Sequence, residues 1–455
     1  MAPMDRMERF QKEAEGVFAG SAARDNLVKL LDEGSFVELD AFAQGGVITG
    51  YGAVEGTQVM VFAECAAPVT RQHSARIKKL YELAIKTGSP VIGLYDSNGG
   101  DLKEGNDTLS AYGDLLLWTS NLSGVVPQIA VVTGVCAGSA ALLAANADFV
   151  VMSEKGELFF TPPSVSKEED AGTAKAAAAA GLCHLKAEDA DGAIALGRKL
   201  AALMPSNNLS AAPLFECADV GAAAELDAMC QEGVCPVKAV ELCADAGSLL
   251  PLCSEYGVPA YTALGTIGGV VVGFAAASDL LCSCACEKLA RFVSFCDAFS
   301  IPVVTLLNTQ GFAPVSDSRA VRAYGKLAQT YAEATCPKVA LVVGRAQGPA
   351  YAALAGKAAS ADLVLAWPSA EICPLDPVTA VSILYRDKIT QEKSREALAE
   401  EYLAADASPY QAAADGLVDS IIRPGDTRNV LISALDMLAS KRENRLPKKH
   451  GVSSL

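Results

Sequence analysis

Four short glycine-bearing segments carry the residue types best suited to chemistry in this sequence. They are Ser97-Asn98-Gly99-Gly100, Cys136-Ala137-Gly138-Ser139, Thr309-Gln310-Gly311 and Gln347-Gly348-Pro349-Ala350. Each follows a short apolar run of the kind that forms a buried strand. Glycine after a strand lets backbone N–H groups face outward with no Cβ in the way, and a helix beginning there adds its positive end. Paired N–H donors of this kind stabilise an enolate or another oxyanion. The same glycines also serve plain backbone accommodation, and both readings stand at this point.

Other routes to catalysis have less behind them. The chain has three histidines. His73 sits in a basic stretch with Arg71, Arg76, Lys78 and Lys79, which suits either a phosphate-bearing ligand or a solvated helix face. His184 follows Cys183 in an expected strand, where adjacent side chains point to opposite faces and cannot act as a nucleophile–base pair. No G-x-S-x-G, P-loop or dinucleotide G-x-G-x-x-G motif is present. Cys282, Cys284 and Cys286 would share a face in a strand and splay in a helix. With no Cys/His partner at zinc spacing they read as small buried hydrophobes.

The glycine segments belong to an internal repeat. Gly88 to Gly99 answers to Ser300 to Gly311, with Pro90, Asp96 and Gly99 meeting Pro302, Asn308 and Gly311 at an offset of 212 residues. The same offset sets Gly56 against Gly268, Val59 against Val271, Phe62 against Phe274, and Tyr112-Gly113 against Tyr324-Gly325. After a slip, Pro127 to Gly134 matches Pro337 to Gly344, and Ala147-Asp148-Phe149-Val150 matches Ala361-Asp362-Leu363-Val364. Several ordered blocks imply one fold used twice. Within a copy, strands at Pro90–Tyr95, Gln128–Thr133 and Asp148–Met152 alternate with helices over Ser74–Lys86 and Leu109–Ser120, which predicts parallel βαβ units. The junction lies between about Met204 and Val258, giving expected domains of 1–235 and 236–455. The end, Ser440–Leu455, reads as an extended tail.

Composition agrees with a protein that buries large cores. The 455 residues are 51% hydrophobic and 20% charged, with a mean hydropathy of +0.26. The most apolar stretch, Thr266–Leu281, is broken by Gly268, Gly269, Gly273 and Asp279 and fits a strand and turn better than a membrane span. A net charge of −16 and a pI near 4.8 argue against nucleic-acid binding. Fourteen cysteines without a secretory signal read as reduced thiols, implying a cytoplasmic protein.

Longer segments resemble a known family. Ala23 to Asp40, Ser123-Gly-Val-Val-Pro-Gln-Ile, Gly134-Val-Cys-Ala-Gly138, Leu203-Met-Pro-Ser-Asn-Asn-Leu209, Ala290 to Phe299, Ala361 to Ile372 and Pro447-Lys-Lys-His-Gly451 are similar to the carboxyltransferase subunits of biotin-dependent acyl-CoA carboxylases and decarboxylases. The resemblance implies an α/β architecture of two crotonase-like domains. Acyl-CoA is held by the N-terminal half, and biotin by the C-terminal half of a neighbouring subunit. It implies a carboxyl group moved between carboxybiotin and a short acyl-CoA, propionyl/methylmalonyl or acetyl/malonyl, through an enolate held by backbone donors. The expected partners are a separate biotin carboxyl carrier protein, since no Met-Lys-Met attachment site is present, and a biotin carboxylase or a membrane decarboxylase subunit. Like copies would assemble from dimers to a hexamer.

Carried over by motif, the first oxyanion hole falls on Gly138 and Ser139 and the second on Pro349 and Ala350. Gly99, Gly100, Gly311, Phe312 and Gly348 fall on the binding turns. Two departures stand out. Gly348-Pro349-Ala350 replaces the usual Gly-Gly-Ala, and proline has no N–H. Ser97-Asn98-Gly99-Gly100-Asp101 replaces Ser-Gly-Gly-Ala-Arg. They motivate an alternative, a catalytically degenerate homologue acting as a structural or acyl-CoA-binding subunit. A third reading, a hydratase or hydrolase, would need Glu104 aimed at a thioester. Ala352 leaves room for a substrate beside the second hole.

Overall fold

The structure is a computed structural model that describes residues 6–17, 20–43, 45–167, 170–217, 221–314, 318–357, 359–390, 393–449 and 451–452. His450 and parts of both chain ends named above lie outside the described residues. Two compact units divide between Pro213 and Leu214, earlier than the 235/236 boundary expected from the sequence. The cause is the helix Ala223–Glu232. It is tied to the second unit by the Arg423–Asp227 ion pair and by Asp227 accepting the Gly425 N–H at 2.9 Å.

The first unit contains β1 (Val37–Leu39), β2 (Val47–Val54), β3 (Thr57–Glu64), β4 (Val91–Ser97), β5 (Gln128–Ala137), β6 (Phe149–Ser153), β7 (Glu157–Phe159) and β8 (Leu185–Ala187). The second contains β9 (Leu250–Leu252), β10 (Ala260–Ile267), β11 (Val270–Leu281), β12 (Val303–Phe312), β13 (Lys338–Gln347), β14 (Leu363–Ala366), β15 (Glu371–Cys373) and β16 (Ser420–Ile421). The sheets run β1-β2-β3-β4-β5-β6-β8 with β7 on β5, and β9-β10-β11-β12-β13-β14-β16 with β15 on β13. The fold is therefore repeated strand for strand. The sheets are mixed rather than wholly parallel, because β1, β2 and β3, like β9, β10 and β11, pair antiparallel.

The repeated residues have identifiable work. Pro90, Pro127, Pro302 and Pro337 stand just before strands, where a missing N–H breaks no ladder bond, and their carbonyls accept from Met60, Val91, Gly273 and Val303, each at 2.8 Å. Asp148 and Asp362 accept the N–H groups of Gln128 and Lys338, each at 2.8 Å, and so fix where β5 and β13 begin. Strands β4, β5, β12 and β13 are buried over nearly their whole length, as strands covered on both faces must be.

Two expectations, the register of the repeat and the strand at His184, need correction. The β2–β3 turn is Glu55–Gly56 and the β10–β11 turn is Gly268–Gly269, so Gly56 answers to Gly269, and the pairings Gly56/Gly268, Val59/Val271 and Phe62/Phe274 are one residue out of step. Of the two settings open to the cysteines the helical one is found: Cys284 and Cys286 lie on the helix Ser283–Ala298, just after Cys282, and of the three only Cys286 is fully buried. His184 lies just before β8, where its Nδ1 accepts the Val150 N–H at 3.1 Å. No helix among the described residues is long and apolar enough to cross a membrane.

Candidate functional site

In the first unit β4 and β5 run side by side until Ser97 faces Cys136, and both chains then turn. Gly99 takes a φ of +95° there, and a Cβ on it would stand 3.4 Å from the Ala137 carbonyl oxygen. The second unit repeats the arrangement. Thr309 faces Ala346, Gly311 has a φ of +112°, and its Cβ would lie 3.6 Å from the Gln347 oxygen. The turns are braced alike: Ser97 Oγ accepts the Gly99 N–H at 3.3 Å, and Thr309 Oγ1 accepts the Gly311 N–H at 3.1 Å. The glycine segments on β4 and β5, and those on β12 and β13, are thus adjacent within each unit.

The strand-to-helix turns differ in what they offer. Gly138, with a φ of +62°, leads into the helix Ser139–Asn146, but its N–H donates to the Phe159 carbonyl at 2.9 Å. Gly138 is therefore not an available oxyanion donor, which corrects the motif-based assignment. The first helical bond is Ala141 N–H to Gly138 O at 3.1 Å, so Ser139 and Ala140 keep N–H groups that meet no backbone acceptor among the described residues. Ala140 was missed from the sequence, because the capture of Gly138 by β7 is a long-range event. In the second unit Gly348, with a φ of +57°, opens the helix Gly348–Leu354. Pro349 lies in its first turn and has no N–H, which leaves Ala350 as the remaining candidate donor there.

The other expected binding residues have local roles. A Cβ on Gly100 would stand 2.3 Å from Thr108 Cγ2, so this glycine admits the helix Asn106–Leu122. Phe312 stacks on Tyr324 with ring centroids 4.2 Å apart at 8°. Glu104 is not aimed at the turn. Its carboxylate accepts the Arg71 N–H at 2.6 Å and caps the helix Arg71–Thr87. The basic stretch is not a uniformly solvated face: Lys78 pairs with Asp114 at 2.9 Å and Lys79 with Asp40 at 2.6 Å, while His73 and Arg76 are buried.

Beside the Gln310–Gly311 turn, the second unit opens a cleft of about 250 Å³ lined by Val234, Asp279, Asn308, Gln310, Gly344, Arg345, Ser369 and Glu371. Arg345 Nε lies 3.1 Å from Glu371 Oε2, and Asn308 Oδ1 accepts the Arg345 N–H at 2.9 Å. The cleft is polar, open and lined by donors as well as acceptors.

The carboxyl transferase domain family matches residues 20–453. The methylmalonyl-CoA decarboxylase subunit alpha of Veillonella parvula is 35% identical over 94% of this chain and 92% of its own length. The propionyl-CoA carboxylase beta chain of Saccharopolyspora erythraea is 35% identical, covering 97% of this chain and 94% of the relative. A crystal structure of transcarboxylase 12S, described as a hexamer at a multienzyme core and holding hydrolysed methylmalonyl-coenzyme A, superposes with a TM-score of 0.93 at 32% identity and covers 100% of both chains. The match over 20–453, carried by a duplicated crotonase-like architecture, makes this chain a member of the carboxyl transferase family.

Proposed function

We propose that the chain is the carboxyltransferase component of a biotin-dependent acyl-CoA carboxylase or decarboxylase, with acyl-CoA at the first unit and biotin at the second. The observation that carries this reading is the turn at Ala137–Ser139. It leaves the Ser139 and Ala140 N–H groups with no backbone acceptor among the described residues, at the N-terminus of a helix beside the Gly99 turn, where a thioester enolate would find fixed donors. Biotin, on a separate carrier, would carry the carboxyl group. Arg345 and Gln310 are the side chains that would hold its head group, with the Ala350 N–H as the backbone donor.

The acyl group is short, propionyl/methylmalonyl or acetyl/malonyl, in keeping with the methylmalonyl-CoA and propionyl-CoA relatives. The carrier is a biotin carboxyl carrier protein, with a biotin carboxylase or membrane decarboxylase subunit as further partner, and like copies associate as dimers to a hexamer. The free thiols of all fourteen cysteines suit a cytoplasmic setting.

The test is biotin-dependent loss of the carboxyl group from malonyl-CoA or methylmalonyl-CoA, with biocytin as acceptor and Pro349→Gly measured alongside. Turnover that requires biocytin supports the reading. Activity confined to Pro349→Gly, with acyl-CoA bound by both proteins, overturns it in favour of a degenerate subunit.

A further inference from the structure

Five buried side-chain polar atoms lack a hydrogen-bond partner among the described residues, and all lie in the first unit. They are both ring nitrogens of His73, the Ser74 hydroxyl, Nε of Arg76 and the Tyr112 hydroxyl. Each such atom costs about 1–3 kcal/mol, so their concentration in one place calls for a reason. Glu64, the last residue of β3, is at the centre, only 6% exposed. His73 Nε2 lies 3.3 Å from one carboxylate oxygen of Glu64. The other oxygen accepts the Asp96 N–H at 3.1 Å, directly before the Ser97–Gly100 turn.

The second unit builds the same place with neither a carboxylate nor an imidazole: alanines stand where Glu64 and His73 stand. There the β11–β12 ladder runs on to Leu281 and Phe312, so backbone pairing reaches the turn itself. In the first unit the β3–β4 ladder ends at Ala63 and Leu94, and the Glu64 carboxylate takes over as acceptor. Met60 and Gly273 donate to equivalent prolines, and the following helices begin at Arg71 and Ser283. These anchors make Ala277 and Ala285 the counterparts of Glu64 and His73, and both alanines are fully buried. The fold therefore closes with a pair of alanines at these positions.

We infer that Glu64 and His73 are positioning residues that, through the Asp96 amide, set the Ser97–Gly100 turn on the acyl-CoA side. The inference rests on the acyl-CoA reading of the first unit. The other ionisable groups around Glu64 are Tyr81, Tyr95, Tyr112, Cys65, Cys136, Arg76 and Asp96. Burial pushes the tyrosines and both thiols up, which keeps them neutral at ordinary pH, and burial lowers Arg76 from its ordinary value. Asp96 is held by the Val135 N–H at 3.2 Å.

The test compares the full-length chain with Glu64→Gln, His73→Gln and the double variant Glu64→Ala/His73→Ala, which borrows residues the second unit already tolerates. The readouts are kcat and KM for malonyl-CoA and for biocytin, and Kd for malonyl-CoA by calorimetry. In the double variant kcat/KM for malonyl-CoA falls about tenfold or more while KM for biocytin stays within about twofold, and Glu64→Gln, whose amide oxygen can still accept the Asp96 N–H, keeps most of the parent value. Should the alanine pair fail to fold, His73→Gln decides by the same split between the two KM values. Unchanged malonyl-CoA constants in the double variant and in His73→Gln overturn the inference. If the unaltered chain shows no biotin-dependent turnover, the functional reading fails on its own. The malonyl-CoA Kd then still judges this inference: about tenfold weakening sustains it, and no change refutes it.

Discussion

The two units share a backbone and differ in what they place on it. Asp96 and Asn308 occupy one position and do one task, accepting the N–H groups of Val135 and Arg345, and Gly134 and Gly344 leave them room. Ser97 and Thr309 brace their turns with the same side-chain bond. Away from these fixed points the copies diverge. Under its turn the first unit buries Glu64, His73, Tyr95 and Cys136, while the second has Ala277, Ala285, Leu307 and Ala346 there. At the helix start the first has Ser139, with an N–H, and the second has Pro349, without one. A duplicated fold thus needs only a few turn-forming residues, and the surrounding positions are free to take different chemistry in each copy.

The largest effect is expected from making the first unit resemble the second at its donor. Ser139→Pro removes one N–H and keeps a residue suited to the first helical turn. Gly348, at a φ of +57°, already precedes Pro349, and Gly138 at +62° matches it, so the backbone accepts the change. Removing an oxyanion donor costs about 3 kcal/mol, so biotin-dependent turnover should drop on the order of a hundredfold with an unaltered melting temperature. Retained turnover would mean that Ser139 is not a donor.

Next in size is a change that separates the buried cations of the two copies, Arg76 and Lys288. Lys288 Nζ donates to the carbonyls of Cys253 at 2.9 Å, Tyr256 at 3.0 Å and Ala260 at 2.7 Å, fastening the segment before β10. Lys288→Met strands those acceptors and should lower stability by about 3 kcal/mol, read from denaturant unfolding. Burial also pulls the Lys288 ammonium down to about 8, below its ordinary value. Between pH 8 and the unfolded value near 10.5 the unfolded chain binds more protons, so this group adds stability as pH rises through that window. The rise should vanish in Lys288→Met.

Much of this was legible in the sequence, and the failures have physical causes. The duplication was visible because Pro90, Pro302, Asp148 and Asp362 fix strand starts by local rules that recur. The slip at the β2–β3 hairpin was hidden because Glu55 adopts a φ of +46°, the conformation Gly268 takes in the other copy, so the glycines do not align. The antiparallel edge strands β1 and β9 are three residues each, too short for a periodic signal. The loss of the Gly138 donor to Phe159 spans a helix and a strand, and Glu64 meets His73 only through the path of the loop that joins β3 to the next helix. No spacing rule announces such contacts.

A smaller effect tests the claim that Gly100 serves packing. Gly100→Ala forces a contact with Thr108 Cγ2 and should cost about 1–3 kcal/mol. The second copy carries Phe312 at this position and Ala320 at that of Thr108. Adding Thr108→Ala should therefore restore most of the lost stability, giving a double-mutant cycle with a coupling of at least about 1 kcal/mol. Strict additivity would show that Gly100 is required for some other reason.

The smallest expected change in stability tests which copy serves which substrate. Arg345 and Glu371 form a partly exposed pair in the cleft of the second unit, and pairs of this kind contribute about 0–1 kcal/mol. Its counterpart in the first unit is Val135, whose N–H makes the same bond to Asp96 that Arg345 makes to Asn308, so the strand does not need a guanidinium here. Arg345→Ala should leave unfolding within about 0.5 kcal/mol of the parent. It should raise KM for biocytin several-fold while leaving KM for malonyl-CoA unchanged, the pattern of a side chain that holds one substrate alone. A rise in KM for malonyl-CoA instead would reverse the assignment of the units, because the cleft would then belong to the acyl group and the Ser139 turn to biotin.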